Sequence, residues 1–360
     1  MDNRQQLSSL QGIRALAALL VLVSHATAIC MSWGVNYLGG IFYAGNLGVD
    51  LFFVLSGFII FYIHHKDKNE NGLVKKFFIK RFIRIYPIYW IALLILVPFE
   101  LFIAGFGIAP ENYYQIGTHI KAFLLYPQVY QPLSVSWTLT SEILFYMIFG
   151  VVLFSKFKKI AIGVFGVWVV ASALTAFYVP TNYVVLCLLY PTNIEFVYGI
   201  LVAYIVLNYK VKQGPLLIVT GTILSILAMA NAIHGYIDID RIFAFGIPSA
   251  MIVLGCVSLE FSRELNIPRV ITYLGDASYS IYLTHFPALY LIHKLFVNLG
   301  LLNILHIQVL MTIVVIATVA FGCLFHSYIE KPLLIVLRKQ LLQKKRPVVN
   351  EHTLLAKAAK

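Results

Sequence analysis

The sequence predicts an all-α fold, a polytopic integral membrane bundle of about ten transmembrane helices with both termini in the cytoplasm. Three observations lead there. Hydrophobic residues make up 60% of the 360 and charged ones 12%, with a mean hydropathy of +0.85, which leaves too little polar side chain to cover a soluble body of this size. Apolar runs of about 18 to 23 residues, the length that crosses a bilayer core, recur along the whole chain. Assigning alternate loops to one side of the membrane collects 24 of the 27 Lys and Arg there, as the excess of basic residues in cytoplasmic loops requires. An odd number of spans would scramble that partition. The net charge of +12 therefore reports topology, and a nucleic-acid partner is not indicated.

In chain order the spans are expected at 11–31, 46–63, 82–104, 137–155, 160–178, 187–207, 215–233, 241–260, 278–298 and 304–327. The first, LQGIRALAALLVLVSHATAIC, is too long for the apolar core of a cleaved leader and carries Arg14 and His25, so it reads as a retained span. Eleven helical steps separate Arg14 from His25, a rise of about 16 Å that ends about 20° from its starting direction. The two share one face, and such groups inside a span face a bundle interior or a watery cavity. In the second span, GNLGVDLFFVLSGFII, Asp50 lies one turn inside the outer end. There it either joins His25 in depth or stabilises the helix start beside Asn46, and Ser56-Gly57 reads as close helix packing. The stretch KKFFIKRFIRIYPIYW sets Arg81 and Arg84 three apart on one face at the cytoplasmic surface, with Pro87 as a kink position. Arginine suits multidentate phosphate recognition. Orientation and lipid headgroup contact would use the pair equally well, as they would Lys75, Lys76 and Lys80.

The fourth span, SVSWTLTSEILFY, places Trp137 at the outer interface, Glu142 about one turn below and Tyr146 a further turn along the same face. A carboxylate at that depth needs a partner, and orienting an imidazole such as His25 is a recurrent use of one. Glu195, in PTNIEFVYG, is a candidate of the same kind. In the ninth span, GDASYSIYLTHFPALYLIHK, His285 precedes Phe286-Pro287 and His293 follows eight residues on; a lone helical His is either a satisfied core residue or a substrate contact. His306 and His326 lie near span ends and read as interfacial, and Glu330-Lys331-Pro332 is expected to close the last helix. The basic tail, 336–360, either binds anionic lipid or holds orientation, which sets the domain boundaries at 1–335 and 336–360. Cys30, Cys187, Cys256 and Cys323 lack CxxC spacing or a matched His set, so neither a disulfide framework nor a metal site is expected.

Five of these stretches, in this order, resemble the membrane acyltransferase-3 family of bacterial surface-glycan O-acyltransferases: QGIRALAALLVLVSHA, NLGVDLFFVLSGFII, KRFIRIYPIYW, SVSWTLTSEILFY and SYSIYLTHFP. Among its branches the compact chain looks most like the exopolysaccharide acetyltransferases. The resemblance implies residence in the bacterial inner membrane, acetyl-CoA or another acyl-CoA as cytoplasmic cosubstrate and no metal. It implies as acceptor a glycan or lipid-linked oligosaccharide, with membrane lipids and polysaccharide biosynthesis machinery as partners. It also implicates Arg14 and His25 in the core, Arg81 and Arg84 near the CoA, and Glu142. In contrast to the peptidoglycan and some O-antigen branches, a fused extracytoplasmic esterase-like domain is not expected here, and so neither is a second-step carrier.

On this reading His25 acts as general base on a sugar hydroxyl, with Glu142 orienting it and Asp50 as the alternative. A transient acyl-imidazole at His25 is the variant to direct transfer. Arg14 binds donor phosphate or polarises the oxyanion, and Trp137, Tyr146 and His285 contact substrate. The rival class is a proton-coupled transporter or flippase using Arg14, His25, Glu142 and His285 as a pathway. Such proteins commonly show repeated halves and paired broken helices, and neither is visible here.

Overall fold

The computed structural model describes residues 7–67, 72–104, 115–262, 265–301 and 304–342, and all regular structure among them is helical. The elements are α1 (Ser8–Met31), α2 (Leu47–His64), α3 (Leu73–Ala104), α4 (Ile116–Phe123), α5 (Trp137–Phe154), α6 (Lys158–Leu174), α7 (Tyr183–Leu188), α8 (Asn193–Asn208), α9 (Gly214–His234), α10 (Ile247–Phe261), α11 (Arg269–Asn298), α12 (Ile307–Phe325) and α13 (Lys331–Leu342). Among the described residues seven helical stretches are long and apolar enough to cross a membrane. The spans expected third, fifth and ninth fall on α3, α6 and α11. Of these, α6 has 17 residues, and the others open on polar stretches, LVKKFFIKRFIR and RVITYLGDASYS.

Helix α2 packs against α1 on one side and α8 on the other. A Cβ at Gly57 would come within 1.9 Å of the Phe196 carbonyl oxygen, and one at Gly199 within 2.0 Å of that of Val54. The α2 and α8 backbones therefore touch, as small residues permit where packing must replace the hydrophobic drive between spans. Gly57 serves the packing expected of it, while Ser56 beside it turns to the site described below. The start of α1 is held by Glu260 at the end of α10. Its carboxylate accepts from the backbone N–H groups of Ser8 (2.7 Å) and Ser9 (2.9 Å), from the Ser8 hydroxyl (2.8 Å) and from the Ser9 hydroxyl. Those amides have no partner inside their own helix.

Several expectations are corrected. The sixth span is broken at Pro191, between α7 and α8, and Asn182 caps α7 by accepting from the Val184 and Val185 amides. The long segment after α3 contains α4. Its last carbonyls, at Ala122, Phe123 and Leu124, accept from Tyr89 (2.7 Å), Trp90 (2.9 Å) and Tyr86 (3.1 Å) of α3. Glu330-Lys331-Pro332 does not close the last helix. A π-helical turn, His326–Glu330, leads into α13, and Pro332 falls in its first turn, where a missing N–H is tolerated. His326 is buried rather than interfacial. The tail boundary at 335/336 falls inside α13, and residues 343–360 lie outside the described ones.

Candidate active site

Five helices enclose a central cavity of about 150 Å³. Their contributions follow helical spacing: Phe52, Ser56 and Ile59 from α2; Arg81, Arg84 and Ile85 from α3; Thr138, Glu142 and Tyr146 from α5; Tyr279 and Tyr282 from α11; and Arg14 from α1. Residues three or four apart share a helix face, so α3, α5 and α11 each turn a stripe with polar groups inward, while α2 adds Ser56 among apolar side chains. The Glu142 carboxylate accepts from Ser56 across the bundle at 2.7 Å and from Tyr146 one turn away. The Arg81 guanidinium lies over the Tyr146 ring at 5.2 Å and that of Arg84 over the Tyr279 ring at 5.1 Å.

The three arginines differ in what balances them. Arg84 pairs at 3.2 Å with Glu330, a fully buried carboxylate that also accepts from Ser280 and His326, each at 2.7 Å. Arg81 donates to Nε2 of His64 at 3.3 Å, and the opposite nitrogen of that ring donates to Asp67 at 2.7 Å. Arg14 has no hydrogen-bond or ion-pair partner among the described residues. It stands where the central cavity meets a second one of about 570 Å³, lined by His64, Asp67, Lys76 and Lys80 from the basic loop side. A guanidinium that no carboxylate contacts inside a bundle is costly, and an anionic ligand would relieve that cost.

His25 lies beyond the other end of the central cavity. Phe52 and Tyr282 line that end in edge-on contact, ring centroids 5.5 Å apart, and Tyr282 in turn lies 5.7 Å from His285. Nε2 of His285 is 3.0 Å from Nδ1 of His25. Each Nδ1 also faces a carbonyl oxygen, Tyr282 O at 2.6 Å for His285 and Val21 O at 3.0 Å for His25. A carbonyl only accepts, so both Nδ1 atoms carry the hydrogen; His285 Nε2 then accepts from His25, and Nε2 of His25 is left with its lone pair. The ring of Phe286 closes on His25 edge-on at 5.3 Å.

The structure thus brings Arg14, Arg81, Arg84, Glu142 and Tyr146 together around one cavity and joins His25 to His285. His25 takes its orientation from His285 and Val21 rather than from Glu142 or Asp50. Asp50 is fully buried and accepts from Arg241 at 3.0 and 2.5 Å, and Arg241 also donates to the Asn46 carbonyl at 2.9 Å. Glu195 is buried on α8, and neither of its oxygens has a hydrogen-bond partner among the described residues. His293 stacks on Trp33 at 4.2 Å, and His306 caps α12. Trp137 faces away from the central cavity, toward Tyr190. Sequence reasoning missed Glu330, Tyr279 and Tyr282; the signal for Glu330 was an acidic residue four after a His in an apolar stretch. Among the described residues no three His, Cys, Asp or Glu side chains gather as a metal site would need.

The family model for the acyltransferase domain (Acyl_transf_3) matches residues 7–326. The chain belongs to the acyltransferase-3 family. It is an acyltransferase, and its apolar helices make it a membrane protein. This acyltransferase is 31% identical to the exopolysaccharide production protein ExoZ of Rhizobium meliloti (strain 1021) over 309 residues, 81% of this chain and 90% of that one. It is 25% identical over 362 residues to a protein of Staphylococcus aureus (strain COL) provisionally named an O-acetyltransferase, covering 90% of this chain and 56% of the relative, so the chain spans about half of that protein's length. Over 160 residues, 41% of this chain and 24% of the other, it is 29% identical to the peptidoglycan O-acetyltransferase OatA of Listeria monocytogenes. No solved structure matches the acyltransferase. Arg14, His25, Glu142 and His285 all lie within the matched domain; Glu330 lies just past its end.

Proposed function

We propose that this acyltransferase moves an acetyl group from acetyl-CoA, supplied on the cytoplasmic side, to a hydroxyl of an exopolysaccharide or related surface glycan. It would do so as a ten-span protein of the bacterial inner membrane with both termini in the cytoplasm. The observation that carries the reading is Arg14, a guanidinium without a hydrogen-bond or ion-pair partner among the described residues, at the junction of two cavities. The larger of these opens among Lys76 and Lys80, which suits a polyanionic donor. The names of the relatives support a glycan acceptor and an acetyl group.

Arg14 and His25 are about 16 Å apart along α1, and both side chains lean toward the helix N-terminus, which preserves the separation. Arg14 is therefore too far to polarise the carbonyl that His25 serves, and its role is donor phosphate binding. The pantetheine arm then extends up the central cavity, and the Phe52–Tyr282 contact opens to pass the thioester. The His25 Nε2 lone pair takes the proton of the sugar hydroxyl as its oxygen bonds to the thioester carbon. The tetrahedral intermediate collapses with loss of the C–S bond, and the leaving CoA thiolate takes a proton, which restores neutral His25. Glu142, held by Ser56 and Tyr146, shapes the cavity wall beside the arm.

The test uses the full chain in nanodiscs with radiolabelled acetyl-CoA and the de-O-acetylated polysaccharide of the producing cells. Wild type labels the glycan and His25→Ala does not, while Arg14→Gln raises the apparent KM for acetyl-CoA about tenfold or more, the loss expected of a charge-assisted contact. Transfer retained in His25→Ala rejects the base assignment.

A further inference from the structure

A third cavity lies on the other face of α5. Helix α5 presents Thr138, Glu142 and Tyr146 to the central cavity, whereas Trp137, Thr140 and Ser141, rotated about 100° around the axis, line a separate hollow of about 270 Å³. Gln131, Tyr183 and Tyr190 also line it, beside Pro127, Leu186 and Cys187. It sits at the Trp137 end of α5, away from the lysines at 156, 158 and 159. The break at Pro191 makes this wall possible, because it ends α7 and lets Tyr190 turn toward Trp137, ring centroids 6.3 Å apart and nearly perpendicular.

We infer that this hollow is a subsite for a sugar ring of the acceptor chain, one removed from the ring that is acylated. The inference rests on the glycan-acceptor reading above. A pyranose has an apolar C–H face and a rim of hydroxyls. Three aromatic rings offer electron-rich faces to the first, and a mixed set of hydroxyl and amide side chains serves the second. Thr140 and Ser141 are buried, and their hydroxyls make only long bonds, 3.4 Å, to carbonyls of their own helix. The Gln131 Oε1 accepts from Ser136 at 3.1 Å, which fixes the amide and leaves its Nε2 hydrogens to donate. No charged side chain lines the hollow, which suits a neutral sugar ring and not a phosphate. Its volume is near the lower end of the roughly 300–1,000 Å³ of small-ligand sites, room for one ring.

An aromatic belt at a membrane interface would also use Trp and Tyr, but belt residues lie against lipid headgroups. Here Trp137 is wedged between Phe53, at 6.2 Å, and Tyr190, and its ring walls a cavity with polar groups at the back. Phe53 lines the central cavity and Trp137 lines the hollow, so the contact between these two rings stands between the subsite and the reaction chamber. An acceptor chain held here is anchored by one ring while another reaches His25.

The test is direct binding. Oligosaccharides of one to eight sugars, cut from the de-O-acetylated polysaccharide of the producing cells and labelled at the reducing end, are titrated into nanodiscs bearing the full chain, and fluorescence anisotropy is read. Wild type binds chains of three or more sugars more tightly than single sugars. Tyr183→Ala and Tyr190→Ala each weaken the longer chains about 3- to 10-fold, the range of one aromatic contact, and Tyr190→Phe, which keeps the ring, retains most of the affinity. Tyr190 is 38% exposed, so its truncation leaves the core intact. Wild-type binding that neither alanine variant weakens overturns the subsite and leaves the acceptor reading standing. Absence of both binding and acetyl transfer in wild type overturns the two together.

Discussion

At His25 a carbonyl oxygen decides which ring nitrogen is basic. The Val21 carbonyl and His285 Nε2 both draw on the Nδ1 hydrogen, so the second histidine does for the first what a carboxylate does elsewhere, but without a negative charge inside the membrane. If this is its work, His285→Phe lowers kcat by about 10- to 100-fold, part of the 10²–10⁴ that a positioned base contributes, with the donor KM unchanged. His285→Gln, whose side-chain oxygen still accepts from Nδ1–H, recovers most of the rate. Equal loss in both variants would mean that the ring only fills space. Arg14 and His25 were legible in the sequence because both break an apolar run on one face. That His285 meets His25 was not, because their contact spans 260 positions and no local period encodes it.

Helix ends and crossings decide how rigidly those residues are held. Arg14 and His25 ride on α1, and Glu260 of α10 fixes the start of that helix through four hydrogen bonds to Ser8 and Ser9. Glu260→Gln can accept through one oxygen only and turns an N–H₂ toward donors, so it is expected to cost about 1–3 kcal/mol. A lower midpoint of thermal unfolding in detergent, with Ser9→Ala giving a smaller drop, is the outcome to look for; an unchanged midpoint rejects the cap. The helices themselves were largely readable, since long apolar runs are helical wherever the backbone must satisfy its own hydrogen bonds. The break at Pro191 was signalled by the proline and passed over, because the run of apolar residues continues through it. The continuation into α13 ran against the same signal, for there Pro332 lies in the first turn of a helix that a π-helical turn has restarted.

For the molecule as a whole, the distribution of Lys and Arg and the two linked cavities give a direction. On the proposed function, donor would enter from the basic side, past Lys76, Lys80 and Arg14, and acceptor would meet it at His25. The topology behind this is open to chemical test. In a chain with Cys30, Cys187, Cys256 and Cys323 replaced by Ser, single cysteines at Lys158 or Lys212 are expected to react with a membrane-impermeant maleimide only after the cells are opened, and cysteines at Ser32 or Tyr236 in intact cells. The reverse pattern would invert the path. The direction was expected from the linear sequence; the narrowing at Phe52 and Tyr282 was not, because it brings together one ring from α2 and one from α11, far apart in the chain.

By itself the sequence determined the membrane class, most of the helices, the sidedness expected of them and the face on which Arg14 and His25 lie. Hydropathy, charge and helical period are properties of short stretches, and a bilayer reads them stretch by stretch. Only the tertiary structure decided which buried polar groups answer one another: Glu142 to Ser56 and Tyr146, Arg84 to Glu330, Asp50 to Arg241, and His25 to His285. Buried polar groups must be satisfied by whatever neighbour the packing supplies. Packing between helices follows from small residues such as Gly57 and Gly199 far apart in the chain. That Arg14 has no hydrogen-bond or ion-pair partner among the described residues became apparent only once these pairs had been assigned.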